Sequence, residues 1–294
     1  MPAFDQLTSR RLSRFRSFEL LARSVVEGFV TGLHRSPFKG FAVEFAEHRP
    51  YTPGDDVKHL DWKVFGKNEK FFIRQYEEDT SLRAFLMLDT SGSMGYQTGA
   101  FSKLDFGRFI CGVFAYVLFQ QSDSVGAVTF DSNIRQLLSP GGSRRHLKRV
   151  LDTFGAAKPG KDTDLGMVMH RLANRLRRRA LIVIVSDFFD NSREIIKALT
   201  HFSHRHHEII VFQVLDREEV TFPFSGQTRF EGMEGEPGVL VDPVRVKTEY
   251  QRQFTLHQTD IRKACHRLHI DFRQMVTDEP FEKAMGKFFA DRMG

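Results

Sequence analysis

A carboxylate and two hydroxyls at alternate positions are the first residues of this chain whose types and spacing suggest chemistry. The segment Asp89-Thr90-Ser91-Gly92-Ser93 directly follows an apolar run at 83–88. In an extended segment alternate side chains point the same way, so Asp89, Ser91 and Ser93 can converge on one point. These hard oxygen donors suit Mg²⁺ or Mn²⁺ and do not suit zinc, which prefers nitrogen and sulfur ligands. The spacing therefore predicts a hard-cation site.

Two more polar groups occupy comparable places along the chain. Thr163 lies just before a predicted helix, and Ser186-Asp187 closes a second apolar run at 180–185. Each group alone is ordinary, because Ser, Thr and Asp are common in loops and at helix N-caps. In a doubly wound sheet, however, ligands bind outside the carboxyl ends of the strands, which is where these groups are expected. We therefore interpret them as further members of the same site.

The elements that must position these residues alternate between apolar strands and helices. This order predicts an α/β fold with a doubly wound, mostly parallel sheet flanked by helices over residues 80–294. A small N-terminal annex of one helix and short strands is predicted at 1–79. Strands are predicted at 70–77, 83–88, 124–131, 134–139, 180–187 and 208–216, and helices at 18–30, 106–118, 143–154, 164–178, 192–202, 246–268 and 281–289.

The polar groups together resemble the metal-ion-dependent adhesion site of von Willebrand factor A domains. That site combines Asp-x-Ser-x-Ser, a later Thr, and an Asp after the fourth strand. The resemblance implies that Ser91, Ser93 and, in one conformation, Thr163 contact the metal directly. It also implies that Asp89 and Asp187 act largely through bound water, with one coordination position left open. The implied cofactor is Mg²⁺ or Mn²⁺.

The annex carries a longer motif, GLHRSPFKGFAVEFAEHRPYTPGDDVKHLDWK. It resembles the signature of the bacterial family named domain of unknown function 58, although Phe65-Gly66 replaces the Ala-Arg commonly found after Asp-Trp. Pro53-Gly54 suits a type II turn. The acidic residues after it serve either turn and cap chemistry or ion pairs with Arg49, Arg74 or Lys63. The most distinctive signature residues are Arg49, Tyr51, Pro53, Gly54, Asp55, Asp56, Asp61 and Trp62.

Composition limits the class of protein. Of 294 residues, 41% are hydrophobic and 27% charged, which is typical of a folded globular chain. No apolar run approaches the roughly 20 residues that span a bilayer, and the N-terminus does not resemble a signal peptide. Two cysteines cannot build a disulfide framework. We expect a cytoplasmic protein without a membrane span.

Charge is unevenly distributed and favours an acidic protein partner. The net charge is +6, but residues 101–180 alone carry +8. A cation with an open position would accept an Asp or Glu from a partner, and the basic stretch would steer it. We expect a non-enzymatic adaptor that binds proteins through Mg²⁺. The resemblance implies a MoxR-type AAA+ ATPase as partner, in chaperone-like maturation or stress response.

Two alternatives remain open at this stage. A metal-dependent phosphoester hydrolase would use Asp89, but it lacks the second acid of Asp-x-Asp because Ser91 stands there. A nucleic-acid-binding module would use the basic helix 164–178, with Arg171, Arg175, Arg178 and Arg179 on one face. No aromatic residues are interleaved with these arginines, so nucleic acid is disfavoured. The histidines at 201, 204, 206 and 207 are interpreted as surface or helix-end residues, not as metal ligands.

Overall fold

The computed structural model describes residues 44–52, 64–66, 71–77, 82–160, 164–235 and 237–293. The described chain divides into two compact units, one within residues 38–82 and the other from Arg83 onward. In the first unit, β1 (Glu44–Pro50) and β2 (Phe72–Glu77) pair antiparallel, with Arg49 opposite Ile73. Beyond β1, the backbone N–H of Tyr51 donates to the carbonyl of Phe71 at 3.0 Å.

The second unit is built on a six-stranded sheet. Its order is β10-β7-β6-β3-β4-β5, and every neighbouring pair is parallel except β4 with the edge strand β5. Because the chain starts at the centre and adds strands first to one side and then to the other, the sheet is doubly wound. The strands are β3 (Arg83–Asp89), β4 (Ser124–Phe130), β5 (Ile134–Gly141), β6 (Leu181–Ser186), β7 (Glu208–Leu215) and β10 (Asp271–Val276).

Helices connect and cover these strands. A separate two-stranded antiparallel sheet is formed by β8 (Thr228–Phe230) and β9 (Val239–Val241), and it follows a short helix at Arg217–Thr221. The predicted α/β fold, with a mostly parallel sheet flanked by helices, is confirmed. The helices are α1 (Lys103–Gln120), α2 (Arg144–Gly155), α3 (Leu165–Arg175), α4 (Ser192–His204), α5 (Arg217–Thr221), α6 (Pro243–Arg267) and α7 (Phe281–Met293).

Phenylalanines fill much of the core of this unit. Phe114 of α1 contacts Phe212 of β7 edge-to-face at 5.4 Å, and Phe288 of α7 packs on the same two rings. Helix α1 also lies unusually close to the sheet at Gly107. A Cβ added there would come within 2.7 Å of Leu88 on β3. This close approach fixes the start of α1 beside the end of β3, where the polar segment 89–93 begins.

The structure corrects one predicted helix and adds elements that the sequence did not predict. Helix α3 ends at Arg175 and not at 178, because Leu176 leaves the helical conformation with a ψ of 83°. Its carbonyl accepts a hydrogen bond from the buried ring of His207 at 3.2 Å. Arg178 and Arg179 therefore do not extend the basic face of α3, as the nucleic-acid hypothesis required. The added elements are β8, β9, β10 and α5.

Other predictions are not tested by the described residues. The annex helix at 18–30 lies outside them, as do Pro53, Gly54, Asp55, Asp56, Asp61 and Trp62 of the signature. The boundary between residues 79 and 80 stays a prediction. Among the helices that the structure describes, none combines the length and apolar character needed to cross a bilayer.

Candidate metal centre at the strand ends

The segment after β3 forms a compact loop around a buried carboxylate. One oxygen of Asp89 accepts the backbone N–H of Ser91 at 2.8 Å, which turns the chain back over the strand end. The hydroxyls of Ser91 and Ser93 lie 3.1 Å apart, and Gly92 between them has helical dihedral angles, so this part of the loop is turned and not extended as the spacing argument assumed. Asp89 and Ser91 are buried, whereas Ser93 is partly exposed. The loop thus places two hydroxyl oxygens together over a buried carboxylate.

The end of β6 adds a second pair of oxygen-bearing residues. The hydroxyl of Ser186 donates to the other oxygen of Asp89 at 2.6 Å, which joins the ends of the two central strands. Asp187 is also buried, and its Oδ1 accepts the backbone N–H of Phe189 at 3.1 Å. The sequence placed Asp187 in the site. Ser186, which the sequence grouped with Asp187 without a role of its own, makes the direct contact with Asp89.

A buried lysine is the main feature that sequence reasoning missed. Lys103, the first residue of α1, is fully buried, and its Nζ lies 2.7 Å from Asp187 and 2.5 Å from Glu219. It also lies 4.8 Å from the ring centroid of Phe189. Burial acts to lower the pKa of Lys103, but the two carboxylates outweigh it, so the pKa is raised. Lys103 is therefore an ammonium that holds Asp187 in place.

Glu219 reaches Lys103 because of the way α5 begins. Asp216, directly after β7, caps this helix, and Glu219 returns to accept the backbone N–H of Asp216 at 2.8 Å. This reciprocal capping box fixes the Glu219 side chain. Asp216 also accepts the backbone N–H of Thr98 at 3.2 Å, which joins α5 to the loop beyond Ser93. The sequence Asp-Arg-Glu-Glu indicates the capping box, but it does not indicate that Glu219 pairs with Lys103 on α1.

Negative charge is concentrated at these strand ends. Burial, and then the charge of Asp187, raise the pKa of Asp89 to about 7. Burial also raises the pKa of Glu219, although Lys103 opposes this shift. The Lys103 ammonium thus pairs with two carboxylates, and the third, that of Asp89, lies close enough to Asp187 for its pKa to respond to that charge. Such an arrangement favours the arrival of further positive charge.

Thr163 cannot be placed, because residues 161–163 lie outside the described residues. The segments on either side of it are fixed near the site. The backbone N–H of Gly160 donates to the carbonyl of Thr90 at 2.6 Å, and that of Leu165 donates to Asp190 at 2.8 Å. Its predicted role as a ligand stays a prediction.

The donor types fit a hard divalent cation. Serine hydroxyls and carboxylates are the oxygen ligands that Mg²⁺ and Mn²⁺ favour. Within the described residues no three His, Cys, Asp or Glu side chains gather as a metal-binding group. A cation here would therefore depend on the hydroxyls of Ser91 and Ser93 together with Asp89 and Asp187.

The remaining predicted residues lie elsewhere. The Nδ1 of His201 contacts the Nδ1 of His170 at 3.2 Å, and buried His207 contacts the Leu176 carbonyl. Both histidines have lowered pKa values, for which burial is the largest cause. The first contact joins α3 and α4, and the second joins the residue before β7 to the end of α3. His207 is therefore a buried residue and not the surface or helix-end residue that the sequence predicted. In the annex, Arg49 lies on β1 and Tyr51 contacts the ring of Phe71 at 6.3 Å between centroids.

Comparison with known families and proteins identifies the chain. Residues 47–260 match the family described as protein of unknown function DUF58. The chain belongs to this family. Uncharacterized proteins of Mycobacterium bovis and Mycobacterium tuberculosis are each 25% identical to it over 286 residues, which cover 94% of this chain and 88% of each relative. The family expected from the annex signature is thereby confirmed.

Solved structures show more distant likenesses to this member of the DUF58 family. An aerotolerance-related membrane protein of Bacteroides fragilis is 15% identical, with a TM-score of 0.47 over 71% of this chain and 97% of that one. A von Willebrand factor type A protein of Catenulispora acidiphila is 12% identical, with a TM-score of 0.41 over 72% of this chain and 42% of that one. Likeness at this level does not extend to ligands or partners.

Proposed function

We propose that this protein is a non-enzymatic adaptor that binds a partner protein through Mg²⁺ or Mn²⁺ at the carboxyl ends of β3 and β6. The observation that carries the proposal is the convergence of the Ser91 and Ser93 hydroxyls over Asp89, with Asp187 beside them. The cation would supply a Lewis-acid docking point for an Asp or Glu of the partner. The chain's own residues would hold it and leave room for that carboxylate.

The chemistry of the surrounding residues supports binding and not hydrolysis. Ser91 stands where a phosphatase would carry its second acid. Lys103 is engaged by Asp187 and Glu219, so it is not poised to act on a substrate. Ser186 donates to Asp89, which fixes that carboxylate in position. These contacts support the proposal that the site holds a cation and does not hydrolyse a substrate.

The identity of the partner rests on the family resemblance alone. That resemblance suggests a MoxR-type AAA+ ATPase, working with this protein in chaperone-like maturation or stress response. A cytoplasmic location, predicted from the sequence, is part of this proposal. The excess positive charge of residues 101–180 would assist the approach of an acidic surface on the ATPase.

The test is a binding measurement with a purified MoxR-type ATPase of the same organism, by surface plasmon resonance in Mg²⁺ and in EDTA. We expect binding in Mg²⁺ that is lost in EDTA and in Ser91→Ala. The matched control is Ser139→Ala, which removes an exposed hydroxyl on the edge strand β5. Binding that persists in EDTA and in Ser91→Ala would reject the metal-bridged adaptor. Absence of binding in Mg²⁺ would reject the ATPase partner.

A further inference from the structure

One edge strand of the sheet, β5, is exposed to solvent. It ends the order β10-β7-β6-β3-β4-β5, and within the described part of the chain no strand lies beyond it. Arg135, Gln136 and Leu137 are exposed, and Leu137 is 37% exposed although its side chain is apolar. The free side of an edge strand presents unpaired backbone N–H and C=O groups, to which another strand can add. Pro140 has no backbone N–H, so the part of β5 available for pairing is 134–139.

Two clefts beside β5 have basic linings. The first, of about 460 Å³, is lined by Ile134 of β5 and by Arg171 and Arg175 of α3. The second, of about 520 Å³, is lined by Leu137 of β5 and by Arg149 of α2. A molecule that reaches β5 therefore also meets these arginines, because each cleft is bounded by the strand and by a helix.

The described residues do not balance the charge of these arginines. Among the described residues that line the two clefts, Asp152 is the one carboxylate, and it already pairs with a lysine of α2 at 3.1 Å. Arg171 donates to the neutral side chain of Asn133 at 3.2 Å. Within the part of the chain that the structure describes, Arg149, Arg171 and Arg175 form no ion pair. Their positive charge is thus available to a bound molecule.

The other edge of the sheet, β10, differs in both respects. Its first four residues are only partly exposed, and its last two are buried. It carries Arg273, but this side chain pairs with Asp271 at 3.3 Å and with Asp291 at 3.1 Å. Of the two edges, β5 is therefore the one that combines an exposed strand with unbalanced positive charge among the described residues.

These features fit an acidic, extended segment of a partner protein. Its backbone would continue the ladder of β5, its carboxylates would lie toward the arginines, and apolar side chains between them would meet Leu137. A second copy of β5 is disfavoured, because it would bring the arginines of both copies together. Nucleic acid would also meet the arginines, but it has no backbone that extends a sheet.

We propose that β5 is a docking strand, to which an acidic segment of a partner protein adds as a further strand of the sheet. The pairing needs no metal, so this inference is independent of the proposed cation site. Backbone hydrogen bonds would supply affinity, and Arg149, Arg171 and Arg175 would select for negative charge in the segment.

The test uses two fluorescein-labelled peptides of sequence Glu-Val-Glu-Val-Glu-Val, one of them methylated at every backbone nitrogen. Affinity is measured by fluorescence anisotropy in EDTA for the wild type and two double variants. Arg149→Gln with Arg175→Gln removes two cleft arginines. Arg177→Gln with Arg178→Gln is the matched control, because these arginines are exposed, line neither cleft and carry the same charge. Hydrogen exchange of β5 and β10 is followed by mass spectrometry with and without the unmethylated peptide.

We expect the unmethylated peptide to bind the wild type and to slow exchange in β5 and not in β10. Methylation should weaken binding by about tenfold or more, because several backbone hydrogen bonds are lost. The cleft variant should bind about fivefold more weakly, as expected for two exposed ion pairs, and the control variant should bind as the wild type does.

Four results would overturn the docking strand. They are no binding of the unmethylated peptide, equal affinity for the two peptides, equal affinity of the two double variants, and slowed exchange in β10 instead of β5. Tighter binding of a 20-nucleotide oligothymidylate than of the peptide, weakened in the cleft variant, would assign the surface to nucleic acid and also overturn the proposal. Because EDTA is present throughout, each of these results leaves the Mg²⁺-dependent adaptor standing.

Discussion

Replacing Lys103 by methionine tests the central contact of the candidate site. The variant leaves Asp187 and Glu219 buried without their ammonium, while the methionine occupies most of the same volume. In the wild type the lysine side chain is 0% exposed, and the two carboxylate side chains are 3% and 15% exposed. Removing one partner of such a buried pair costs about 3–5 kcal/mol, because the remaining charge is neither solvated nor paired. We expect a loss of that size in the free energy of unfolding.

The measurement is urea unfolding followed by circular dichroism at pH 7.5 in EDTA. Lys197→Met is the matched control, because Lys197 pairs with Glu194 at a similar 2.7 Å but the two side chains are 64% and 49% exposed. An exposed pair of this kind contributes only about 0–1 kcal/mol. The contrast between the two variants isolates the effect of burial from the effect of losing a lysine.

A third variant separates charge from packing. Combining Lys103→Met with Asp187→Asn and Glu219→Gln removes the buried charges together, so the stability should recover by at least half of the loss. If Lys103→Met costs no more than Lys197→Met, the buried ion pair does not exist as described. If the triple variant is as unstable as the single one, the cost lies in packing and the electrostatic account is wrong.

Three further predictions follow from single contacts. In EDTA, Asp89 has a pKa of about 7 against an ordinary 3.8, so its favourable contribution to stability is complete below pH 3.8 and is lost as the pH rises through 7. The free energy of unfolding of the wild type should therefore fall by roughly 3–5 kcal/mol relative to Asp89→Asn between pH 4 and pH 8. Mg²⁺ should restore this stability. Gly126→Ala should cost about 1–3 kcal/mol in urea unfolding, because its Cβ would meet a backbone carbonyl of β5 at 2.6 Å, whereas Gly99→Ala, with nothing within 4 Å, should be neutral. Cys111 and Cys265 are buried, which raises the pKa of each, to about 12 for Cys265, so Ellman's reagent should label neither thiol until the protein unfolds.

The central strands were predictable because their apolar composition indicates that they are buried. Leu181–Ser186 is apolar until its last residue and is buried along its whole length, as expected of a strand covered on both faces. β10 escaped prediction because it lies at an edge of the sheet, where Arg273 and Gln274 are only partly buried. An edge strand needs no continuous apolar run, so its sequence resembles that of a loop.

The candidate site was predictable where it depends on local spacing and not where it depends on distant contacts. Asp89, Ser91 and Ser93 belong to one short loop, in which the Ser91 N–H contacts Asp89 and the two hydroxyls lie 3.1 Å apart. Lys103 and Glu219 are 116 residues apart, and nothing in either local sequence distinguishes them from surface residues. They are buried because α1 and α5 pack together at the carboxyl ends of the strands, and this arrangement is visible only in the assembled fold.

This packing determines where the positive charge of residues 101–180 lies in the fold. Part of that charge is internal, because Lys103 is committed to buried carboxylates. Another part faces a cleft of about 320 Å³ beside Thr90, which Arg135 and Lys158 help to line. Arg135 is itself paired with Asp131 at 2.5 Å, so the charge on this side is partly balanced. The strand ends are therefore rich in carboxylates inside and basic at one flank. Under the proposed function, an acidic partner would be attracted by the flank and would bind at the centre only once a cation had reversed the local charge. The metal would then be a condition for docking.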